Sequence, residues 1–516
     1  MPRLGIAAAP VCALPNAPSQ TATALCALAY RPRLDASRES RLLDRRTTVT
    51  PPPAFLQTAM ADTPLAGQPM ASAAAMTLTA SWAERPLLLA LALVLGAIVL
   101  VMTTYGVRHV VFTLSRLFGG QRYPYQGIRA AHWPQITVFI AAHNEEKVIA
   151  GCLDALLQTD YPPDRIRIVP VNDRSQDGTR AIIDAHVARH PGRIVPFHRT
   201  GGKPGKAAAL KEAMALAVGD IAIIFDADYT PSPGLLRQLA APFFDPEVGA
   251  VMGRVVPINA GTNLLTRLLD LERSAGYQVD QQARMNLRAV PQYGGTVGGV
   301  RLSAVEAVGG WHDDTLAEDT DITFRLLING WKTIYNNRAE CYEEVPEEWA
   351  VRMRQVRRWA KGHNQVLFRY WRALLKSRHV TLRERIDGLL LLQVFLMPPL
   401  LLVGWLLALA LYYLNAGSLV AVFIPLMALV AYGALGNFAA FLEIVMAVLI
   451  DGHRRRIRLL PINLLCFFAS LFAISQALLE SVLDHLLDRE LVWHKTLRYR
   501  AAPAADAALP AGAVRS

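Results

Sequence analysis

Four long apolar stretches, with a polar segment between the first and the second, limit what this chain can fold into. They are Leu87–Met102, Leu389–Leu414, Leu419–Ile450 and Leu459–Leu479, and the one charged residue within them is Glu443. Stretches of this length match the hydrocarbon core of a bilayer. Buried helices of a soluble protein are the alternative, but they are rarely this long and this free of charge. The sequence therefore predicts an integral membrane protein.

Basic residues cluster beside these stretches and predict the topology. The clusters lie within 108–129, 352–378 and 454–458. Since arginine and lysine accumulate on the cytoplasmic side of a membrane, we expect all three clusters and the polar segment 120–385 in the cytoplasm. Topology and contact with anionic membrane lipids then explain the net charge of +11. Nucleic acid is the competing partner, and no recognition motif in the chain supports it.

Residues 1–84 differ from the rest in composition. They are rich in Ala, Pro, Ser, Thr and Arg and show no sustained periodicity. Such a segment buries too little apolar surface to fold alone. We expect disorder, or a translation start at Met60, Met70 or Met76, rather than a folded domain.

The polar segment alternates between strand-like and helix-like patterns. Apolar runs predict strands at Gln135–Ala142, Arg165–Val171, Ala222–Asp226 and Gly249–Val255. Helical spacing of apolar residues predicts helices at Lys147–Gln158 and Lys206–Ala217. This alternation requires right-handed crossovers between parallel strands. The predicted fold class is α/β, with a Rossmann-like, mostly parallel sheet in a domain inserted between transmembrane helices.

Asp226 and Asp228 end one of the predicted strands. Side chains two residues apart on a strand share a face, so both carboxylates are expected to face one ligand. The carboxyl-terminal edge of such a sheet is where nucleotides bind. Paired oxygen ligands there suit Mg2+ or Mn2+ bridging to phosphates, whereas the simpler interpretation of the pair is a solvated turn.

Two loops and a lysine complete a predicted nucleotide pocket. His143 and Glu145 follow the first strand, and Asp173 follows the second. Asn144 either caps the next helix or belongs to a loop that holds a base and ribose. Asp173 is expected to accept hydrogen bonds from a uracil or ribose, and Lys206 at a helix N-terminus suits a diphosphate.

The segment Glu318–Asp321 carries three carboxylates. One interpretation is the acidic N-terminus of a helix, which the helix dipole stabilises. The other is a general base that deprotonates an acceptor hydroxyl group.

Gln355, Arg358 and Trp359 lie in a basic stretch before the second apolar stretch. They are interpreted either as an interfacial amphipathic helix with a Trp anchor or as part of a catalytic site. In the catalytic interpretation, Arg358 neutralises a leaving diphosphate and Trp359 packs against an acceptor sugar.

These motifs together resemble one family. Asp173, Asp226-Ala227-Asp228, Ala317-Glu318-Asp319 and Gln355-x-x-Arg358-Trp359 occur in the order found in membrane-embedded family 2 glycosyltransferases. That group includes cellulose, hyaluronan, mannan and poly-N-acetylglucosamine synthases. The resemblance covers roughly residues 130–370 and the flanking apolar stretches, and Gly309-Gly310-Trp311 is closest in style to mannan and β-glucan synthase-like members.

The resemblance implies an architecture. A transmembrane helix at 85–106 is expected to precede a cytoplasmic GT-A domain at 120–380 that ends in interfacial helices. About three transmembrane helices follow within 386–482, and 483–516 form a C-terminal tail. The implied location is the inner cell membrane, with several membrane passes.

The resemblance also implies roles for individual residues. The residues implied to bind the donor nucleotide are His143, Glu145, Asp173, Lys206, Asp226 and Asp228, with Asp228 and Asp226 holding Mg2+ or Mn2+. Asp319 is implied to be the base, with Glu318 as the next candidate. The residues implied to contact the diphosphate and the acceptor are Gln355, Arg358, Trp359, Tyr293 and Gly294.

The implied activity is an inverting transfer of a hexose from a nucleotide-diphospho-sugar, expected to be a UDP-sugar, to a growing β-linked polysaccharide. The reaction is expected to be processive and coupled to export, with accessory export subunits as candidate partners. One alternative is non-processive transfer to a lipid-linked acceptor, and another is a membrane scaffold with a degenerate transferase fold. A transporter is disfavoured because Glu443 stands alone within the apolar stretches. Glucose, mannose and N-acetylglucosamine all remain candidate donor sugars.

Overall fold

The computed structural model describes residues 86–414, apart from 129 and 131, and residues 438–487. The expectations for residues 1–84 and for most of the C-terminal tail lie outside these residues. Within them, eight strands form one sheet. The strands are β1 Ile136–Ala142, β2 Ile166–Asp173, β3 Phe197–Arg199, β4 Ile221–Asp226, β5 Thr230–Pro231, β6 Val248–Pro257, β7 Gly298–Arg301 and β8 Lys332–Glu343.

The sheet has the order β3-β2-β1-β4-β7-β6-β8-β5. Strands β1 to β4 pair in parallel with one another, and β6 pairs in parallel with β8. Strand β7 is antiparallel to both β4 and β6, and β5 is antiparallel to β8. The predicted α/β class with a mostly parallel sheet is confirmed.

Helices cover both faces of the parallel strands, which explains why those strands are almost wholly apolar. In β1, Val138 and Ile140 face one core cluster, while Phe139 between them faces another. The first cluster includes Leu153 from one crossover helix, and the second includes Leu210 from another. The alternation of side chains along a strand therefore builds two cores, one on each side of the sheet.

The predicted crossover helices are present with slightly shorter bounds. The helices are α1 Pro86–Phe118, α2 Ile149–Leu157, α3 Thr179–Arg189, α4 Lys206–Ala213, α5 Leu235–Ala240, α6 Leu264–Ser274, α7 Gln282–Leu287, α8 Leu302–Ala307, α9 Glu318–Ile328, α10 Trp349–Lys376, α11 Leu382–Leu392, α12 Met397–Leu414, α13 Phe438–Ile450 and α14 Leu460–Leu486. A π-helical segment, Ala275–Gln281, joins α6 to α7.

Among the described residues, three helical segments are long and apolar enough to cross a membrane. They are Pro86–Phe118, Val394–Leu414 and Arg454–Leu483. The first helix runs beyond the predicted bounds of 85–106, because its more polar end packs against the π-helical segment Ala275–Gln281. Most of the third predicted stretch lies outside the described residues, and its end forms the shorter apolar helix α13.

Glu443 does not stand alone, contrary to expectation. It is buried in α13, and its Oε2 lies 2.5 Å from Nδ1 of His109 in α1. A sequence scan of single stretches misses this contact because the two residues lie on different helices.

A cluster of four charged side chains joins α1 to the domain that contains the sheet. Arg108 contacts Asp280 at 2.8 Å and Asp387 at 3.1 Å. Arg284 contacts the same two carboxylates at 3.1 and 3.0 Å. Each charge has two opposite neighbours, which is the arrangement that makes burial of ions tolerable. The cluster fixes α1 against the π-helical segment, α7 and α11.

Candidate active site

A cavity of about 480 Å³ opens at the carboxyl-terminal edge of the sheet. Strands β1, β2, β4 and β8 end in its wall, and ligands of open α/β sheets bind outside this edge. The predicted site residues that line it are His143, Glu145, Asp173, Lys206, Asp226, Gly294, Glu318, Asp319, Gln355, Arg358 and Trp359. Residues separated by more than 200 positions in the sequence thus share one space.

Lys206 opens α4 and reaches the end of β4. Its Nζ lies 2.6 Å from Oδ1 of Asp226 and donates to the carbonyl oxygen of Gly295 at 2.8 Å. Burial lowers the pKa of Lys206, but the carboxylates of Asp226, Glu318 and Asp319 outweigh that effect and raise it overall. The lysine is therefore a fixed positive charge inside the cavity.

Asp228 lies in the turn after β4 and not on the strand. The strand ends at Asp226, whose carbonyl oxygen accepts from the backbone N–H of Tyr229 at 3.2 Å. The Asp228 carboxylate accepts from the backbone N–H of Glu344 at 3.3 Å, whereas Asp226 faces Lys206. Strand alternation therefore does not orient the two carboxylates, because the strand ends at Asp226, and Asp228 is not among the residues that line the cavity.

The acidic pair nevertheless offers donors that suit a hard divalent cation. Within the described ranges, no group of three His, Cys, Asp or Glu side chains gathers to enclose a metal ion. Mg2+ is commonly held by one or two carboxylates, with phosphates and water supplying its other ligands. Oxygen donors from Asp226 and Asp228 fit Mg2+ or Mn2+ bound together with a diphosphate, and they do not fit an enclosed structural site.

Asp173 is buried, and its carboxylate holds the loops beside the end of β2 in place. Its Oδ1 accepts from Arg199 at 2.7 Å and from Arg174 at 3.0 Å. Its Oδ2 accepts from the backbone N–H of Gly205 at 3.0 Å. Gly205 has a φ of 115°, which glycine adopts readily, and it directly precedes Lys206. Asp173 therefore holds the loop that delivers Lys206 to the cavity, and a nucleotide contact would add to these bonds.

The loops that follow β1 and β2 bind each other. Nδ1 of His143 lies 2.6 Å from the carbonyl oxygen of Asp173, and Glu145 lines the cavity beside it. Asn144 has a φ of 55°, and its side-chain oxygen accepts from a backbone N–H of the second loop at 2.7 Å. The N-cap of α2 is Val148, so the capping interpretation of Asn144 is wrong. Non-glycine residues with positive φ are sparsely populated and cluster at functional sites.

Glu318 and Asp319 begin α9, as the acid-rich helix start predicts. Oδ1 of Asp319 accepts from the backbone N–H of Thr320 at 2.6 Å and from its hydroxyl at 3.2 Å. Burial and the adjacent Asp319 carboxylate raise the pKa of Glu318, which Lys206 only partly opposes. Both carboxylates line the cavity, so geometry admits either of them as a base.

The third carboxylate of this motif, Asp321, holds neighbouring helices together. It is fully buried, and it accepts from Arg325 at 2.7 Å and from the Tyr370 hydroxyl at 2.8 Å. Arg325 belongs to α9 itself, whereas the bond from Tyr370 ties α9 to α10. Asp321 is therefore occupied in packing two helices together.

Gln355, Arg358 and Trp359 lie on one face of α10, since their spacing is that of helical neighbours. All three line the cavity. The Trp359 ring lies 5.3 Å from the guanidinium groups of both Arg273 and Arg352. In the part of the chain that the structure describes, Arg358 forms no hydrogen bond or ion pair. A guanidinium in a cavity that makes no hydrogen bond to the described residues is suited to an anionic ligand.

Tyr293 does not line the cavity, contrary to expectation. Its side chain is fully buried in the core cluster that also contains Phe139 and Trp311. Gly294, the next residue, does line it. Gly295 has a φ of 71°, and a Cβ placed there would lie 3.1 Å from Cβ of Asp319. The glycines thus allow the loop to approach Asp319 closely, while the buried Tyr293 side chain packs behind the loop.

Several residues of the cavity wall belong to none of the sequence motifs described above. Nε of Arg273 donates to Glu343 at 2.6 Å, and the Tyr229 hydroxyl donates to the same carboxylate at 2.8 Å. Recognition of β8 as a strand would have pointed to Glu343 at its carboxyl end. Arg273 lies two residues before the π-helical segment 275–281, a type of irregularity that is frequent at functional sites.

Comparison with known proteins agrees with this geometry. A model of the family "Glycosyltransferase like family 2" matches residues 134–362. The probable glycosyltransferase YdaM of Bacillus subtilis is 30% identical over 379 residues, which are 71% of this chain and 87% of that protein. The beta-monoglucosyldiacylglycerol synthase of Synechocystis is 33% identical over 279 residues, 53% of this chain and 58% of the relative.

A plant protein and an archaeal structure extend the comparison. The probable glucomannan 4-beta-mannosyltransferase 1 of Arabidopsis thaliana is 28% identical over 262 residues, 49% of this chain and 47% of the relative. The mannosyltransferase PcManGT of Pyrobaculum calidifontis, solved with GDP-Man and Mn2+, superposes with a TM-score of 0.52 at 22% identity. The match covers 78% of this chain and all of that one, and it confirms the GT-A fold.

Proposed function

This chain belongs to glycosyltransferase family 2, and we propose that it transfers a hexose from a UDP-sugar, with inversion, to a β-linked glycan at the membrane. Enzymes of this family transfer sugars from nucleotide sugars. The observation that carries the proposal is a single cavity lined by the cations Lys206 and Arg358 and by the carboxylates of Glu318 and Asp319.

The donor end of the cavity is suited to a nucleoside diphosphate. Lys206 is a permanent cation there, and Arg358 supplies a second positive charge from α10. Asp226 and Asp228 would hold Mg2+ or Mn2+, which when bound neutralises charge on the diphosphate. The loops after β1 and β2, with His143 and Asp173, would enclose the base and ribose.

The acceptor end supplies the base. Asp319 takes the proton of the acceptor hydroxyl group while that oxygen bonds to the anomeric carbon of the donor sugar. The bond from that carbon to the phosphate oxygen breaks, and its electron pair leaves with the nucleoside diphosphate, whose charge Lys206 and Arg358 neutralise. One displacement inverts the configuration, so an α-linked donor gives a β-linked product.

The position of the acceptor end supports a reaction at the membrane. The cavity extends to Phe395, which lies in the one-turn segment Val394–Leu396 directly before the apolar helix α12. A growing glycan that leaves there meets the membrane helices, which favours processive synthesis coupled to export. The same position favours a second candidate, transfer to a lipid-linked acceptor, because a lipid held in the bilayer reaches the cavity at this end. The name of the Synechocystis relative describes a glycolipid synthase.

We further propose that the catalytic domain faces the cytoplasm. Arg456 in the basic loop 454–458 forms an ion pair with Asp270 of the domain. Arg254 of the domain contacts Asp451, just before that loop, at 2.7 Å. The loop and the domain therefore lie on one side, and the positive-inside rule makes that side cytoplasmic.

A donor screen tests the proposed function. Membranes that contain the full chain are supplied with UDP-glucose, UDP-N-acetylglucosamine or GDP-mannose, and products are separated by length before linkage analysis. The Asp319→Asn variant at equal abundance is the control. A β-linked polymer supports the proposal, and a single sugar on a lipid supports the second candidate. No incorporation above the control from any donor refutes both.

A further inference from the structure

We propose that His363 positions the catalytic base, acting through Thr320 so that one oxygen of Asp319 is held and the other is left for the acceptor. This inference rests on the proposed function, because it assumes that Asp319 is the base. His363 lies on α10 and lines the cavity, but it belongs to no motif of the sequence.

A chain of contacts connects the imidazole of His363 to the carboxylate of Asp319. Nε2 of His363 lies 3.1 Å from the hydroxyl oxygen of Thr320. That hydroxyl donates to Oδ1 of Asp319 at 3.2 Å, and the backbone N–H of Thr320 donates to the same oxygen at 2.6 Å. Because the hydroxyl gives its one proton to Asp319, Nε2 of His363 must carry its hydrogen and donate to the Thr320 oxygen. The amide Nε2 of Gln292 donates to the same oxygen at 3.0 Å.

These bonds distinguish the two oxygens of the base. Oδ1 of Asp319 already accepts two hydrogen bonds, so it is the poorer proton acceptor. A Cβ built on Gly295 would lie 3.5 Å from Oδ2, which places Oδ2 beside the glycine loop of the cavity wall. The geometry therefore assigns Oδ2 as the atom that receives the acceptor proton.

The imidazole itself is in an unfavourable environment. His363 is 8% exposed, and its Nδ1 is buried without a hydrogen-bond partner among the described residues. An unsatisfied buried polar atom costs stability, on the order of 1–3 kcal/mol. An apolar side chain of similar size would fill the same space without that cost. A residue that lowers stability beside a catalytic site is a candidate for a functional role.

The ring is held rigidly and is uncharged. It packs edge-to-face on Phe395, with the ring centroids 4.8 Å apart. Burial lowers the pKa of His363 to about 4, although Asp319 opposes the shift. The ring therefore acts near neutral pH as a fixed hydrogen-bonding group and not as an acid or base. A positioning residue of this kind matters because misplacement of a reacting group by about 1 Å can lower turnover roughly a hundredfold.

The test compares His363→Leu, His363→Gln, Thr320→Val and the His363→Leu/Thr320→Val double variant in the full-length chain in membranes. His363→Leu removes both ring nitrogens, whereas the amide of His363→Gln can reach the position of Nε2. The exposed His132 provides a matched control, His132→Leu. The measurements are donor hydrolysis, transfer to octyl β-glucoside, the KM of the donor and the thermal unfolding temperature. The donor is the nucleotide sugar that wild type uses best.

We expect His363→Leu to lower turnover roughly ten- to a hundredfold, with the donor KM within about twofold of wild type and with no loss of thermal stability. His363→Gln should recover part of the turnover. Thr320→Val should lose about as much as His363→Leu, and the double variant should lose no more than either single variant, because both act through one contact.

Three results would overturn the inference. They are a His363→Leu variant with wild-type turnover, a double variant whose losses multiply, and a fall in unfolding temperature that tracks the fall in turnover. A wild-type chain that neither hydrolyses nor transfers any nucleotide sugar refutes the proposed function as well. Active wild type with unaffected variants refutes the positioning role alone.

Discussion

Replacing Gly362 by alanine should shift Glu318 and Asp319 relative to the residues of α10 that line the cavity. Gly362 is buried in α10 at the point where this helix touches the residues before α9. A Cβ at this position would lie 2.6 Å from Cβ of Ala317 and 2.8 Å from its backbone nitrogen. Ordinary contacts begin near 3.4 Å, so the two segments must move apart by about 0.8 Å. Ala317 directly precedes Glu318 and Asp319, so the carboxylates move with it.

The expected effect follows from this displacement. Overpacking of a tight contact costs about 1–3 kcal/mol, although alanine favours an isolated helix over glycine by about 1 kcal/mol. A shift approaching 1 Å between Asp319 and the residues on α10 should lower turnover by roughly one to two orders of magnitude. Donor affinity should change less, because Lys206 and the loops around Asp173 lie on other elements.

The assay measures kcat and donor KM on equal amounts of membrane-inserted protein, together with the unfolding temperature. Gly96→Ala is the matched control, because a Cβ on this glycine of α1 meets nothing within 4 Å. The control should behave as wild type. A Gly362→Ala variant with wild-type turnover and wild-type stability would show that this contact does not set the position of the base.

Three further predictions concern the donor, the acceptor and the junction with the membrane helices. Asp228→Ala should abolish Mn2+-dependent donor binding, measured by titration of the nucleotide with and without the cation; unchanged Mn2+ dependence would contradict the metal assignment. Trp359→Ala should lower transfer to a glycan more than donor hydrolysis, whereas a role only in membrane anchoring predicts that both fall with insertion. Burial opposes ionisation of Asp280, but Arg108 and Arg284 outweigh it and lower its pKa to about 2. The ionised Asp280 therefore stabilises the fold above the ordinary aspartate pKa of about 3.9, and this contribution is lost as the pH falls towards 2. Asp280→Asn should consequently make the unfolding temperature depend less on pH in this acid range.

The sequence predicted the parallel half of the sheet well, for a physical reason. Strands β1, β2 and β4 are buried on both faces, so they appear as uninterrupted apolar runs that end in polar residues. Because those ends meet at one edge, Asp173, Asp226 and their neighbours were expected to converge, and they do. In contrast, β7 is four residues long and rich in glycine, and its antiparallel place between β4 and β6 depends on tertiary pairing.

Side-chain direction within a motif was the least predictable property. In the stretch from Tyr293 to Thr296, the sequence alone could not tell that the tyrosine packs into the core while the next glycine reaches the cavity. The same difficulty applied at Asp228, whose side chain was expected to continue the alternation of the strand but which lies in the turn that follows Asp226. Both outcomes depend on where a strand or loop ends, and that boundary is set by packing against distant residues such as Glu344.

Helix α10 contacts both the cavity and an apolar helix. Arg358 and His363 of this helix both line the cavity. Val356 and Ala360 pack against Ala477 of the apolar helix α14. Small residues at such a contact let the two helices approach closely, so α10 connects the cavity to an apolar helix through direct packing. We therefore expect turnover to depend on the contact between α10 and α14, and a substitution that loosens this contact should lower turnover even though it touches no substrate.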